Sequence, residues 1–517
     1  MPIVQQGAIN TTALVVPDLY VQIVPPQSLL LNGVPTDILG VVGTASWGPV
    51  GEPSVIGSMS DYAAAFGPVM ARKYDMGTQV ATAVQQGASN FRCVRVTDGT
   101  DTAASLAILG AITFTAIYTG STGNDLTLTF SAGSAANSWR LTVALPGMSP
   151  EVYDNITGSG ALFWQNIANA VNVGNGVLRG PSQLVVASAQ SVDATPVAGV
   201  YLFASGTPGS DGANGVSAAT LVGSDVLPRQ GMYALRAQGC AMALLADTDD
   251  ATQWSVQMEF GLSESVYMIL TGPAGDTIEN AVIVKGEAGI DSYAAKMMFG
   301  DWVYWFDQTN AVTRLVSPQG FVAGRLANLS PEQSSLNKPL YGVVGTQKSG
   351  QPGGATATSY ASADLSALLS AGIDVIANPQ PGGAYWGVRG GHNSSSSAAV
   401  NGDNYTRLTN YIAATLQAGM GGYVGQLVNS TLFQNIRATL LAFLNGLLQQ
   451  GMLGSTDGSV PFAVVCDTTN NPASRTGLGY VQADVQVQYQ AINEKFIVNV
   501  QGGQTVQVSS QTVPAAA

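Results

Sequence analysis

Charge is the scarcest property of this chain: Asp, Glu, Lys and Arg together make up 10% of it, against 46% hydrophobic residues. A surface that has to stay solvated and solitary normally carries far more, so much of this one is expected to be covered. Cations are the scarcer sign, and the net charge of -13 argues against wrapping nucleic acid, whose phosphates require a basic face. A single histidine, His392, leaves any imidazole chemistry to one side chain. Cys93, Cys240 and Cys466 are far apart and show no C-x-x-C spacing, so neither a disulfide framework nor a zinc site is indicated, and buried thiols are expected. No run of about 18 apolar residues occurs. The start, MPIVQQGAIN, lacks the basic and apolar regions of a secretory signal, so the chain is expected to fold in a cytoplasm without inserting into a membrane. The same composition also suits a large Gly- and Ala-rich enzyme with little charge.

What is present is most legible near the C-terminus. Over 431–450, Leu432, Ile436, Leu440, Phe443, Leu444 and Leu447 recur at the three-or-four spacing of one helical stripe. Thr431 and Gln434 form a T-x-x-Q capping box, and Gly451 supplies a C-terminal stop. Ahead of it, Tyr405, Leu408, Ile412 and Leu416 mark a second helix ending in the glycine-rich 419–422. Behind it, 461–466 and the alternating Val481, Ala483, Val485 and Val487 read as strands, with 495–500 as a last strand candidate.

At 517 residues the chain has room for roughly two to four domains. Residues 1–34 are rich in Pro, Gln and Val, and Pro17, Pro25 and Pro26 forbid a continuous helix. Leu19, Val21 and Ile23 alternate with Tyr20 and Gln22 there, as one strand with no hairpin partner nearby. Such a strand sits at the edge of its own sheet or completes a neighbour's; pattern alone favours its own sheet. From 38 to 96 the chain alternates strand (38–42), short helix (from 60 or 61), helix (78–86) and strand (91–96), an α/β unit. From 111 to 203 period two takes over, as in Leu126, Leu128, Phe130 and in Trp139, Leu141, Val143, Leu145, with one helix at 161–171. That stretch reads as an inserted β-rich domain closed by the linker-like SGTPGSDGANG. Strands at 240–245, 266–270, 303–306 and 373–376 then alternate with helices at 251–260, 277–284, 320–327 and 363–369, rebuilding one core from both sides of the insertion. Residues 348–358 and 390–403 read as low-complexity loops, mobile or ordered only by contact.

The chemically suggestive residues fall short of a catalytic or ligand motif. His392 has no acid, cysteine or second histidine at a usable spacing and is expected in solvent. The segment 342–349 brings Lys348 and Ser349 after a glycine pair, yet Gln347 stands where a phosphate loop needs glycine. Asp247, Asp249 and Asp250 suit Mg²⁺ by ligand type, but Asp250 is more simply a helix cap and the others solvated. Trp302, Tyr304, Trp305 and Phe306 are expected to pack into a core. No catalytic residue, cofactor or metal site is expected.

Three regions carry a family resemblance. YTRLTNYIAATLQAG, LFQNIRATLLAFLNGLLQQGML and PFAVVCDTTNNPASRTGLGYVQADVQVQYQAINEKFIVNV together resemble the C-terminal domain of bacteriophage contractile tail sheath proteins, a family related to the sheaths of R-type pyocins and type VI secretion machines. ILGVVGTASWGPVGEPSVIGSMSDYAAAFG resembles the N-terminal sheath signature. LVSPQGFVAGRLAN is similar to a segment of the sheath core, with Gln319 inserted between Pro318 and Gly320.

The resemblance implies an α/β (α+β) multidomain fold. Its parts would be an extended arm at 1–34, a discontinuous α/β core at 35–104 and 213–380, and an inserted outer domain at 105–212. A tube-proximal helix-plus-sheet domain at 381–490 and a strand arm with tail at 491–517 would follow. It implies a structural subunit that polymerises helically around a tail tube, contracts without nucleotide and drives the tube through a host envelope. Expected partners are other copies of the chain, the tail tube protein, and baseplate and tail terminator proteins, in a virion tail assembled in the host cytoplasm. In that family the termini act as arms, which reverses the preference for an own-sheet strand. Arm residues would be Leu19, Tyr20, Val21, Gln22, Ile23 and Val24, and Phe496, Ile497, Val498, Asn499 and Val500, with 505–508 as an extension. The receiving sheet would hold Phe462, Val464, Val465, Val481, Val485 and Val487, and Gln434, Arg437 and Asn445 would face the tube. A pyocin-like device without a genome, and an α/β enzyme with a β-rich binding insertion, remain as alternatives.

Overall fold

The computed structural model describes residues 3–6, 20–23, 31–176, 179–351 and 358–500. Its centre is a seven-stranded sheet in the order Ile373–Asp374, Ala295–Met298, Tyr267–Thr271, Met242–Leu245, Leu39–Gly43, Phe91–Arg95, Pro53–Ile56. All neighbouring pairs are parallel except the last, where Pro53–Ile56 runs antiparallel along the edge. Three strands precede the inserted stretch and four follow it, so one core is built from both flanks. Every residue of Leu39–Gly43, Met242–Leu245 and Tyr267–Thr271 is buried, as expected of parallel strands covered on both faces. Ala295–Met298 has no counterpart in the sequence reading, because Lys296 interrupts its apolar run.

Helices cover both faces. Met59–Phe66, Met76–Gln85 and Gln319–Ala327 pack on the side of Leu39, Val41, Leu244 and Ile269. Trp254–Glu264, Ile278–Glu287 and Ser362–Ser370 pack on the side of Val42, Leu245, Met268 and Leu270. Starts are capped as their residues allow: Ser58 Oγ accepts from Asp61 N at 3.2 Å and Asp75 Oδ2 from Thr78 N at 2.7 Å. The core segment LVSPQGFVAGRLAN owes its glycines to close packing. A methyl group at Gly324 would run into the Cα of Ala83, and one at Gly320 into the Thr82 hydroxyl. Gln79 then bridges the two helices to the sheet, accepting from Gly320 N at 2.9 Å and donating to Asp247 Oδ1 at 2.9 Å.

The insertion is two antiparallel sheets, Glu151–Ile156, Trp139–Ala144, Thr127–Ala132, Gly199–Leu202 in one and Val185–Ala189, Ile112–Ala116, Ser105–Ile108 in the other. The helix Gly160–Val173 packs with them around Phe114, Phe130, Leu141, Phe163 and Trp164. Several side chains from the core fasten it, among them Arg72 paired with Asp211 and Ser46 bonded to Thr122 at 2.8 Å. Trp47 joins its hydrophobic cluster, and the buried Arg95 guanidinium donates to the carbonyls of Gly48 and Thr119 at 2.8 and 2.7 Å.

Toward the C-terminus come the helices Asp403–Gly419 and Ser430–Gln449 and the antiparallel strands Phe462–Val465 and Asp484–Val487. The long helix begins one residue before the expected box. Asn429 Oδ1 accepts from Leu432 N at 2.9 Å, leaving Thr431 and Gln434 exposed. Its end is as expected, with Gly451 at φ 75° and Met452 N bonded to Leu447 O at 3.0 Å. The last strand starts at Asp484 rather than Val481, because Asn471 takes both the N–H and the carbonyl of Gln482, at 2.6 and 2.8 Å.

Four other expectations are corrected. Residues 495–500 form no strand: they are exposed and unpaired within the described chain. The strand Tyr20–Ile23 does have a local partner, Ile3–Gln6, in parallel register. A hairpin search overlooks that pairing because parallel strands need a long crossover. Leu19, Val24 and 505–508 lie outside the described residues. The serine-rich segment 390–403 is ordered, with Asn393 Nδ2 bonded to Val400 O at 2.7 Å and Thr406 Oγ1 at 2.9 Å and with Ser394 and Ser395 buried. Of the aromatic group, Trp302 and Trp305 are buried while Phe306 is 46% exposed, because alternate residues of Val303–Asp307 face opposite ways.

Candidate assembly interface

The pair Phe462–Val465 and Asp484–Val487 is in register from Phe462 against Val487 to Val465 against Asp484. One face lies on the long helix, where Val464 and Cys466 meet Leu432, Phe433, Ile436, Leu440 and Leu444. Val481, though outside the strand, packs on the same cluster with Val485 and Val487. The other face, with Ala463, Val465 and Gln486, is exposed. Among the described residues, no backbone hydrogen bond beyond the mutual pairing reaches either strand, and Asn470 Nδ2 on Val465 O at 2.9 Å is the one side-chain contact to their backbones. Within the described residues, and apart from the Val465 carbonyl, both outer edges therefore present N–H and C=O groups with no partner. Two strands are marginal as a sheet, and long exposed edges are ordinarily protected.

The sequence supplies candidates for that pairing. Phe496, Ile497, Val498 and Val500 are 82, 80, 64 and 83% exposed, with Asn499 exposed among them. A run of large apolar side chains left in water has no stabilising role within its own subunit. Gln434, Arg437 and Asn445 lie exposed on one face of the long helix, opposite the Leu432–Leu447 stripe.

Sequence reasoning missed the polar joint between the core and this C-terminal part. Lys296, fully buried, donates to Asp374 Oδ2 at 2.7 Å, Asp403 Oδ1 at 3.0 Å and the His392 carbonyl at 2.7 Å. Asp403, in the first turn of its helix, also accepts from the Tyr267 hydroxyl at 2.6 Å and from Ser335 N at 3.1 Å. Burial works against the Lys296 ammonium, yet the charges of Asp374 and Asp403 outweigh it and hold its pKa above the ordinary lysine value. Burial likewise opposes the Asp403 carboxylate, and Lys296 with the Ser335 and Tyr267 hydroxyls outweighs it, so its pKa lies below the ordinary value. The one available signal was a lysine inside an apolar run.

The chemically suggestive residues have other partners. His392 is half-buried rather than solvated and lies 2.7 Å from Glu494 Oε1 through Nε2. Lys348 pairs with Asp364 at 2.9 Å, and its N–H bonds Asp301. Asp250 caps the turn at Ala251–Gln253, and Asp249 pairs with Lys73. Asp247 is not solvated: it is buried, accepts from Tyr74 N and Gln79 Nε2, and burial pushes its carboxyl up. All three cysteines are buried and free. No group of acids, histidines and cysteines arranged to hold a metal occurs among the described residues.

No protein-family model and no curated protein matches this chain by sequence. Solved structures do match by fold. The sheath tail protein from Desulfitobacterium hafniense is 18% identical with a TM-score of 0.58, over 87% of this chain and 93% of that one. The sheath tail protein from Listeria innocua is 14% identical with a TM-score of 0.59, over 85% and 90%. The PVC sheath of an extracellular contractile injection system, in the contracted state, is 12% identical with a TM-score of 0.55, over 96% and 99%. The fold of this chain is thus the one shared by sheath tail proteins and contractile injection system sheaths, the group its C-terminal and N-terminal segments resemble.

Proposed function

We propose that this chain is the structural subunit of a contractile tail sheath, assembling helically around a tail tube and contracting to drive the tube through a host envelope. The observation that carries this reading is the coexistence of a two-stranded sheet with both edges open and an exposed, unpaired apolar run at 496–500. Each is incomplete alone, and copies of one chain complete each other when the run of one adds to the sheet of the next. Each backbone hydrogen bond so formed contributes about 0.5–1.5 kcal/mol net, and several act together across a flexible root. Subunits joined that way can rotate without separating. Contraction would draw on extra surface buried in the shorter lattice, a small gain per copy multiplied along the sheath.

In this reading 1–34 is the second arm, 105–212 the outer domain and 381–490 the tube-proximal part, with Gln434, Arg437 and Asn445 toward the tube. The tube, baseplate and terminator proteins are partners, and assembly precedes release from the host cytoplasm. A device without a genome is the second reading, supported by the coverage of the PVC sheath. Genomic neighbours encoding a capsid would separate the two. Electron microscopy of the purified chain, alone and with its tube protein, tests the class: hollow cylinders are expected, and monomers under both conditions would overturn it.

A further inference from the structure

The helix Asp403–Gly419 and the amino-terminal ends of the central strands enclose a cavity of about 480 Å³. Small-molecule sites run from about 300 to 1,000 Å³. Arg407, Asn410, Tyr411 and Ala414, spaced three and four apart, turn one stripe of the helix toward it. Leu235, Cys240 and Val266 line the sheet side, and Val34 and Pro35 close it from the N-terminal segment. That segment is firmly seated. Val34 N donates to Thr415 Oγ1 at 3.2 Å, and a methyl group at Gly33 would run into the Tyr411 hydroxyl.

Two polar groups on the helix side are left short of partners. Asn410 is 8% exposed, and its Nδ2 is buried with nothing to donate to. Arg407 is 5% exposed and donates to the carbonyls of Ser330 and Leu329, yet it makes no ion pair among the described residues. Asp403, one turn before it, is taken by Lys296. Burial pulls the Arg407 guanidinium down to about 10, against the charges of Asp403 and Glu332. It is still a cation at neutral pH. The carboxylate on the lining, Glu264, already faces Arg236 at 3.6 Å. A buried cation without a counterion and a buried donor without an acceptor are both costly. Residues three apart on a helix are neighbours, so one anionic oxygen pair can serve both.

We propose that this cavity binds a medium-chain fatty acid, its carboxylate at Arg407 and Asn410 and its tail against Leu235, Cys240 and Val266. The site does not depend on the assembly reading. A ligand there touches the N-terminal segment, the helix and the sheet together, and so should raise the melting temperature of the chain.

Calorimetric titration of the full chain with sodium decanoate, kept below its micelle threshold, tests the site. Decanol supplies the tail without the charge, and acetate the charge without the tail. One decanoate should bind per chain, at least about tenfold tighter than decanol, and acetate should give no saturable heat. Asn410→Leu removes only a donor that has no partner, so the fold should persist. It should weaken decanoate about tenfold and leave decanol unchanged. Ala414→Phe fills the chamber and should abolish both. Arg407 stays intact throughout, because it also holds Ser330 and Leu329. Circular dichroism confirms folding, and Asn410→Leu decides alone if Ala414→Phe does not fold. No saturable decanoate heat, equal affinity for decanoate and decanol, or undiminished binding in either folded variant would overturn the site. Absent cylinders in microscopy would remove the sheath reading and leave this titration standing.

Discussion

Lys296 Nζ lies 2.7 Å from Asp374 Oδ2, with both side chains sealed from solvent. Asp403 at 3.0 Å makes the same ammonium the meeting point of the central sheet, the 390–392 loop and the first turn of the Asp403–Gly419 helix. The C-terminal part is thereby fastened to the core by buried charge, and the buried Arg407 guanidinium of the same helix adds bonds to the carbonyls of Ser330 and Leu329 at 2.9 and 2.7 Å.

Lys296→Met should cost about 3–5 kcal/mol, because it strands two carboxylates in the interior. Thermal unfolding should shift down accordingly. The pH window follows from the signs. Asp403 lies below its ordinary 3.8, so its contribution is present above that value and is lost as pH falls through the lower folded pKa. Lys296 lies above its ordinary 10.5, so its share is lost only as pH climbs through the raised value. The joint should hold at full strength across neutral pH; a melting temperature that declines between pH 5 and 8 in step with the Lys296→Met difference would contradict it.

Asp75 behaves oppositely. Burial pushes its carboxyl from 3.8 up to about 7, against the Thr78 hydrogen bonds that pull it down. The unfolded chain releases this proton first, so the group's contribution falls as pH rises toward about 7 and then levels off. Asp75→Asn retains the cap acceptor for Thr78 N. It should raise the melting temperature at pH 8 while matching wild type near pH 4, and calorimetry at both values decides the matter.

Gly324→Ala should destabilise by about 1–3 kcal/mol, since the methyl meets backbone that has no room to move. Gly421→Ala, where nothing lies within 4 Å, serves as the control and should be neutral or slightly stabilising. Urea unfolding midpoints compare the pair.

Val498→Pro removes a backbone donor at a residue 64% exposed. The monomer's melting temperature should not change, and cylinder formation should fall sharply, because proline cannot complete a strand ladder. Deleting residues 1–24 should likewise leave a folded monomer that does not polymerise. Normal cylinders from either variant would remove the corresponding arm from the assembly.

Sequence by itself determined the elements whose pattern is local. The Leu432–Leu447 stripe, the alternation around Leu141, and the strand–helix rhythm on both sides of the insertion appear where periodicity placed them, within a few residues, except that Val303–Asp307 pairs with Val312–Val316 and Val343–Thr346 in a separate antiparallel sheet instead of joining the central one. Each depends on which face of one element is apolar, and that is written in consecutive residues. Tertiary structure alone decided what depends on partners distant in the chain. It paired Ile3–Gln6 with Tyr20–Ile23 across a long connection, made a strand of the lysine-bearing Ala295–Met298, and moved Asp247 from solvent to the interior. It also left 496–500 unpaired, since a strand exists only where another offers its edge and the described chain offers none there. Buried charge follows the same rule: Lys296 is tolerable only because residues 78 and 107 positions away bring carboxylates to it.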